Sequence, residues 1–212
     1  VISGSVYTDF CLSALSENKQ KLLEKGRNPE GDEILKTLLS HEFSKDVQED
    51  ILSAYTRLSG FSDAWVSVRS SVIFPANDHI SFSGVFSTEL NVRKFEDLQE
   101  AVKRVYGSLF TDDVVAYANR LEIDLADVKL AVVVQKMVQA EISGVAFTVD
   151  PITQDETKLG IEAVYGLGDV ISTGEVTPDS YLLNKRDLSI LEKHIAPQEW
   201  MKVRTMNASH GK

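Results

Sequence analysis

The 212-residue sequence predicts an α+β fold, with a helix-rich first half and a second half rich in antiparallel strands. Three observations predict it. Apolar residues recur at three- and four-residue intervals through most of the first half. From Lys129 onward, short apolar runs are broken by Gly, Pro, Asn and Asp, the punctuation of strands and turns. Hydrophobic residues make up 43% of the chain, enough to bury a real core.

The elements follow in order. VISGSVYTDFCLSAL (Val1–Leu15) reads as the tail of a strand entering a helix capped by Ser5, with apolar residues at 7, 10, 11, 14 and 15. GRNPEG (Gly26–Gly31) is a loop. In KDVQEDILSAYTRLSG, Val47, Ile51, Tyr55 and Leu58 repeat on one helical face, with Ser44 as N-cap and Gly60 past the end. AWVSVRSS (Ala64–Ser71) and SFSGVFSTELNV (Ser81–Val92) read as two strands. KFEDLQEAVKRVYGSL (Lys94–Leu109) returns to helix, with Phe95, Leu98, Val102, Val105 and Leu109 on one face. KLAVVVQKMV (Lys129–Val138) is the continuous apolar run of a fully covered strand, and SGVAFTVDP, KLGIEAVYG and DSYLLNK follow as further β-rich runs. The change of character places a boundary near Thr111–Asp127, giving lobes over 1–110 and 111–212. Both ends of the chain are abrupt, so a fragment of a longer protein is expected.

Composition narrows the function. With 22 basic and 32 acidic residues the formal charge is -10, which repels nucleic-acid phosphates and anionic lipid. No stretch of about 18 apolar residues offers a membrane span, and the start lacks a signal-peptide pattern. A cytoplasmic protein with neither nucleic-acid nor membrane partners is expected. The single cysteine, Cys11, lies at helical spacing with Tyr7, Phe10, Ala14 and Leu15 and reads as a small buried hydrophobe. His41, His79, His194 and His210 do not cluster with cysteine or carboxylate at ligand spacing, and no G-x-S-x-G occurs, so zinc-enzyme and hydrolase readings fail.

Several residues could carry other chemistry. Arg69, among small serines at the end of a β-rich run, can offer a fixed fork of donors to phosphate oxygens, or be a plain surface arginine. Gly84, inside a strand pattern, leaves room for a close backbone or ligand, or marks a bulge or bend. VVVQKMV resembles a hinge whose backbone could read an adenine edge while Met137 packs on its face, although methionine there is also ordinary core. The G-x-G of EAVYGLGD lacks the third glycine and the strand-to-helix setting of a dinucleotide fingerprint and reads as a glycine-bearing turn. Glu162, Asp169, Glu175 and Asp179 read as a solvated acidic surface, and no metal ligand is assigned among them.

Taken in order, VRSS, SFSGVFSTELNV, SLFTDDVVAYANR, VVVQKMV, SGVAFTVDPIT and IEAVYGLGDVISTGEVTPDSY resemble the N-terminal ATP-grasp, or PEP/pyruvate-binding, domain of the phosphoenolpyruvate synthase and pyruvate phosphate dikinase family. The resemblance runs from Val1 to about Lys193. It implies an ATP-grasp fold that sandwiches ATP between two lobes. Arg69 would grip the nucleotide phosphates, and Gly84 and Thr88 would line the flexible loop over the triphosphate. Gln135 would face adenine at the hinge, with Met137 and Val138 beside it. The resemblance implies Mg as well, with its ligands expected outside this chain, and it assigns no catalytic residue here.

The sequence departs from the family pattern in places. VIFPA (Val72–Ala76) stands where family members usually read A-T-A-E-D, so Pro75 and Ala76 replace an acidic pair. Val85 and Ser87 stand where a glutamine and an acidic residue are usual, and Asp169 replaces the glutamate of G-L-G-E. By the same resemblance a G-G-K-G segment would precede Val1, and a metal-binding glutamate, glutamine and arginine would follow Lys212. The parent would be a dikinase passing phosphate from ATP through a phosphohistidine domain to pyruvate on a PEP/pyruvate domain, while the fragment alone would be inactive. The alternatives are the ATP-grasp domain of a related dikinase such as rifampin phosphotransferase, or a non-catalytic scaffold or regulatory descendant.

Overall fold

The computed structural model describes residues 1–15, 31–60, 63–74, 82 and 84–204. The chain forms an α+β fold divided into two compact units, Val1–Met137 and Val138–Ser209. The division falls beyond the Thr111–Asp127 segment expected from the change of composition. The reason is backbone pairing: the strand over Lys129–Lys136 hydrogen-bonds along its whole length to Val66–Ile73 and so belongs with the first half.

In the first unit α1 (Gly4–Ala14), α2 (Gly31–Ser40) and α3 (Lys45–Ser59) lead to β1 (Val66–Ile73) and β2 (Thr88–Val92). There follow α4 (Phe95–Gly107), a 3-10 turn (Ser108–Phe110), α5 (Asp112–Arg120), a second 3-10 turn (Leu125–Asp127) and β3 (Lys129–Lys136). The sheet order is β2-β1-β3, antiparallel throughout. Alternate residues of a strand point to opposite faces. Val66 and Val68 of β1 and Leu130 and Val132 of β3 are thereby buried with Leu98, Val102, Val105 and Tyr106 of α4 and with Ile34 and Leu38 of α2. Each such side chain contributes roughly 1.5–3 kcal/mol by leaving water. The α4 sequence suits the helix: Leu98, Val102 and Val105 of the expected stripe are buried on it, Leu109 falls in the 3-10 turn that follows, and Glu96 and Asp97 in its first turn and Arg104 in its last complement the helix dipole.

Three local expectations change. The N-cap of α1 is Ser3, not Ser5, because Ile2 is held extended by exchanging backbone hydrogen bonds with Val132 at 2.7 and 2.9 Å, and the helix begins directly after it. The strand expected over Ser81–Val92 starts only at Thr88. Gly84, at φ +75°, lies in a turn in which the Val85 amide donates to the Phe82 carbonyl at 3.2 Å. The flanking Phe82 and Phe86 rings pack at 5.6 Å, which anchors the turn. Asn91, at φ +56°, sits in a bulge where two residues of β2 oppose Ser67 alone. Finally, β3 is covered only along its first part. Leu130–Val132 are buried, whereas Gln135 and Lys136 are exposed.

The second unit is a four-stranded antiparallel sheet in the order β4-β5-β6-β7: β4 (Ile142–Phe147), β5 (Lys158–Tyr165), β6 (Asp179–Asn184) and β7 (Ile190–His194). A short α6 (Asp169–Thr173) follows β5 and ends at Gly174, φ +70°. Among the described residues no helix is long and apolar enough to cross a membrane.

Candidate functional site

The sheet register brings three of the sequence-selected residues onto one face. Arg69 of β1 pairs with Thr88 of β2 on one side and Val133 of β3 on the other, while Ser67 pairs with Gln135. Directly opposed residues of a ladder share a face, and so do alternate residues of one strand. Arg69, Thr88, Ser67, Val133 and Gln135 therefore leave the sheet on the side away from the Val66–Val68 core. Arg69, Thr88 and Gln135 are exposed there.

The arginine is partly tethered. Its Nε donates to Ser67 Oγ at 3.3 Å, and Ser67 Oγ donates in turn to the Gln135 carbonyl at 3.4 Å. Ser67 is only 2% exposed. Among the described residues no carboxylate is ion-paired with Arg69, which is exposed.

The end of β3 has its own geometry. The Met137 amide donates to the Trp65 carbonyl at 2.8 Å, while Val132 exchanges both its backbone bonds with Ile2. Odd-numbered residues of β3 thus turn their amides and carbonyls toward β1 and even-numbered ones turn theirs outward. Val134 and Lys136 present an outer edge that no strand pairs among the described residues. Met137 is half-buried, and Val138, 75% exposed, is the first residue of the second unit. Gly84 stands apart from this face in the turn before β2. No atom of the described residues lies within 4 Å of where its Cβ would be, so it is required by its positive φ and not by crowding.

Gly166 and the acidic residues Asp169, Glu175 and Asp179 have structural partners. Gly166 has φ +77°, and a Cβ there would clash with the Lys202 carbonyl oxygen; the Leu167 amide donates to that same oxygen at 2.9 Å. The G-x-G therefore serves a turn against a returning chain segment. Asp169 is ion-paired with Lys202, the Ala196 amide donates to Asp179 Oδ1 at 3.0 Å, and Thr173 Oγ1 donates to Glu175 at 2.8 Å. Among the described residues no three His, Cys, Asp or Glu side chains converge as a metal site. His41 Nε2 lies 3.0 Å from Ser13 Oγ, and His194 is exposed on β7. Pro75, Ala76, His79, His210 and most of the Gly26–Gly31 loop lie outside the described residues.

Sequence reasoning passed over Ser67. The signal was present: strand periodicity puts it on the Arg69 face, yet it lies between two buried valines, where a hydroxyl needs a specific bonding partner.

The sequence matches the family described as "Pyruvate phosphate dikinase, AMP/ATP-binding domain" over residues 1–211. The chain belongs to this family. Its ATP-grasp class accords with the α+β architecture above. Among curated relatives, the probable phosphoenolpyruvate synthase of Methanocaldococcus jannaschii is 39% identical over 208 residues, which cover 96% of this chain and 16% of that protein. The phosphoenolpyruvate synthase of Aeropyrum pernix is 41% identical over 70% of this chain and 18% of its own length. An uncharacterized phosphotransferase of Bacillus subtilis, YvkC, is 32% identical over 94% of this chain and 23% of its own. The chain thus spans less than a quarter of the length of these relatives.

Proposed function

We propose that the chain is the ATP-binding portion of a phosphoenolpyruvate synthase-like phosphotransferase, a protein that passes phosphate from ATP through a phosphohistidine domain to pyruvate. The observation that carries this reading is the Arg69–Thr88 pair: an exposed guanidinium that no carboxylate pairs among the described residues and a hydroxyl, side by side on the sheet. Phosphoryl transfer draws its acceleration from positioning and charge neutralisation. Arginine supplies both to phosphate oxygens through a planar fork that lysine lacks.

In this reading Arg69 and Thr88 take the phosphates, and the Gly84 turn passes its backbone over them. Gln135 faces the adenine, with Met137 and Val138 next along the chain. The outward amides and carbonyls of Val134 and Lys136 fit the alternating donors and acceptors of a purine edge. Mg, when bound with ATP, would screen charge on the phosphates. The chain by itself is expected to bind and not to turn over.

A second reading, a non-catalytic descendant that keeps the fold, is favoured by the loop before β2. There Val85 packs against the core and the Ser87 hydroxyl is buried with no partner among the described residues, so neither presents a polar group to a triphosphate. Calorimetric titration of Mg-ATP into the chain and into Arg69→Ala tests the first reading. Saturable binding that the substitution weakens supports it. Absence of binding, repeated on a chain extended at both ends, supports the second.

A further inference from the structure

We infer that Ser67 is a positioning residue for Arg69, tethering its guanidinium so that the two terminal nitrogens face a phosphate end-on; this rests on the reading of Arg69 as a phosphate ligand. Ser67 is the polar member of the buried triplet Val66-Ser67-Val68 and is 2% exposed. A hydroxyl so placed is costly unless its bonding capacity is filled. It is filled on both sides. The oxygen accepts from Arg69 Nε at 3.3 Å, and the proton goes to the Gln135 carbonyl at 3.4 Å. A serine hydroxyl has one donor and two acceptor sites, so the two bonds coexist, and each polarises the other.

The choice of nitrogen matters. Nε joins the guanidinium to its stem, so holding it fixes the plane of the group and removes the side-on mode of anion binding, in which Nε takes part. The terminal pair is left to form two parallel bonds to one phosphate group. The same hydroxyl reaches the backbone of β3 at Gln135. The guanidinium of β1 is thereby referenced to the strand that carries the proposed adenine-facing residue.

The chain labelled with 15N-arginine gives the direct test. The Arg69 Nε–Hε resonance, identified by its loss in Arg69→Ala, is expected to be protected from solvent exchange in the native chain, lost in Ser67→Ala and kept in Ser67→Thr, which preserves the hydroxyl. A resonance unchanged by Ser67→Ala overturns the tether. Mg-ATP titration adds the functional side. Ser67→Ala is expected to weaken binding about threefold to tenfold, with no further loss when combined with Arg69→Ala. Additive losses overturn positioning through Arg69. Native-like affinity in Arg69→Ala overturns the phosphate reading itself, while the resonance still decides whether Ser67 holds the guanidinium.

Discussion

Arg69 of β1 and Thr88 of β2 are direct partners across an antiparallel ladder, which places their side chains side by side on the sheet face opposite the core. Between them in sequence lie the rest of β1 and the turn at Gly84. A site held this way inherits the rigidity of the sheet, and its residues can be changed without touching what holds the fold together.

Arg69 and Val68 make that separation measurable. One residue apart, they lie on opposite faces, Val68 fully buried and Arg69 exposed. Arg69→Ala is expected to shift the melting temperature by about 2 °C or less and to lower Mg-ATP affinity about tenfold to a hundredfold, the effect of losing charged hydrogen bonds. Val68→Ala is expected to cost about 2 kcal/mol of stability and to leave affinity nearly unchanged at temperatures where the chain is folded. Thermal melts and calorimetry on the two variants check the contrast.

Much of this was legible in the residues. The stripe Leu98, Val102 and Val105 declared α4, and Gly60 marked the end of α3, because helical periodicity and a positive-φ glycine terminator are local signals. Pairing is not local. Nothing near Lys129 states that β3 joins β1 over eight register pairs, so the unit boundary was read too early. The Gly84 turn was hidden for a related reason, since FSGVFST is rich in aromatic and β-branched residues as a strand is, while one positive φ breaks the strand. Individual candidate residues can be picked out in the sequence, but the face that Arg69, Thr88 and Gln135 share follows only from register.

Gly84→Ala tests the turn. At φ +75° a Cβ meets no described atom, so the cost is conformational and amounts to about 1 kcal/mol, or roughly 2–4 °C in melting temperature for a chain of this size. Gly84→Asn is expected to cost less, because asparagine tolerates the left-handed region better. A Gly84→Ala chain that melts with the native one would show that the positive φ is not maintained in solution.

Tyr106 supplies a substitution expected to do no harm. Its ring is fully buried against Tyr7, Phe10 and Phe43, but its hydroxyl is buried with no hydrogen-bond partner among the described residues. Burial holds its ionisation well above the ordinary phenol value. Deleting an unsatisfied buried hydroxyl removes a desolvation penalty, so Tyr106→Phe is expected to melt at or above the native temperature. Tyr106→Ala, which empties the ring's space, is expected to lose about 3–5 kcal/mol. Paired denaturant titrations separate the two, and a clear loss in Tyr106→Phe would mean that the hydroxyl is bonded after all.

Cys11 links the same core to pH. It is the chain's single cysteine and is 8% exposed. Burial pushes its thiol up to about 12 from an ordinary value of 9.0, against a smaller opposing effect of its bond with Tyr7. The sign follows from proton counts: between these values the unfolded chain releases a proton that the folded chain retains. The stabilisation is therefore complete below about pH 9 and is lost as pH rises toward 12. Tyr7 and Tyr106, both raised chiefly by burial, act in the same direction at higher pH. The thiolate is the reactive form, so at pH 8 the folded thiol has about a thousandth of the unfolded chain's thiolate fraction, from the difference between 12 and 9.0. A disulfide reagent should label the native chain only as fast as α1 opens, and at once in denaturant. Cys11→Ala should flatten the alkaline limb of the stability curve at a modest cost near neutrality. Rapid labelling of the native chain at pH 8 would mean that α1 does not seal this core, and would undercut the placement of Tyr7 and Tyr106 beside it.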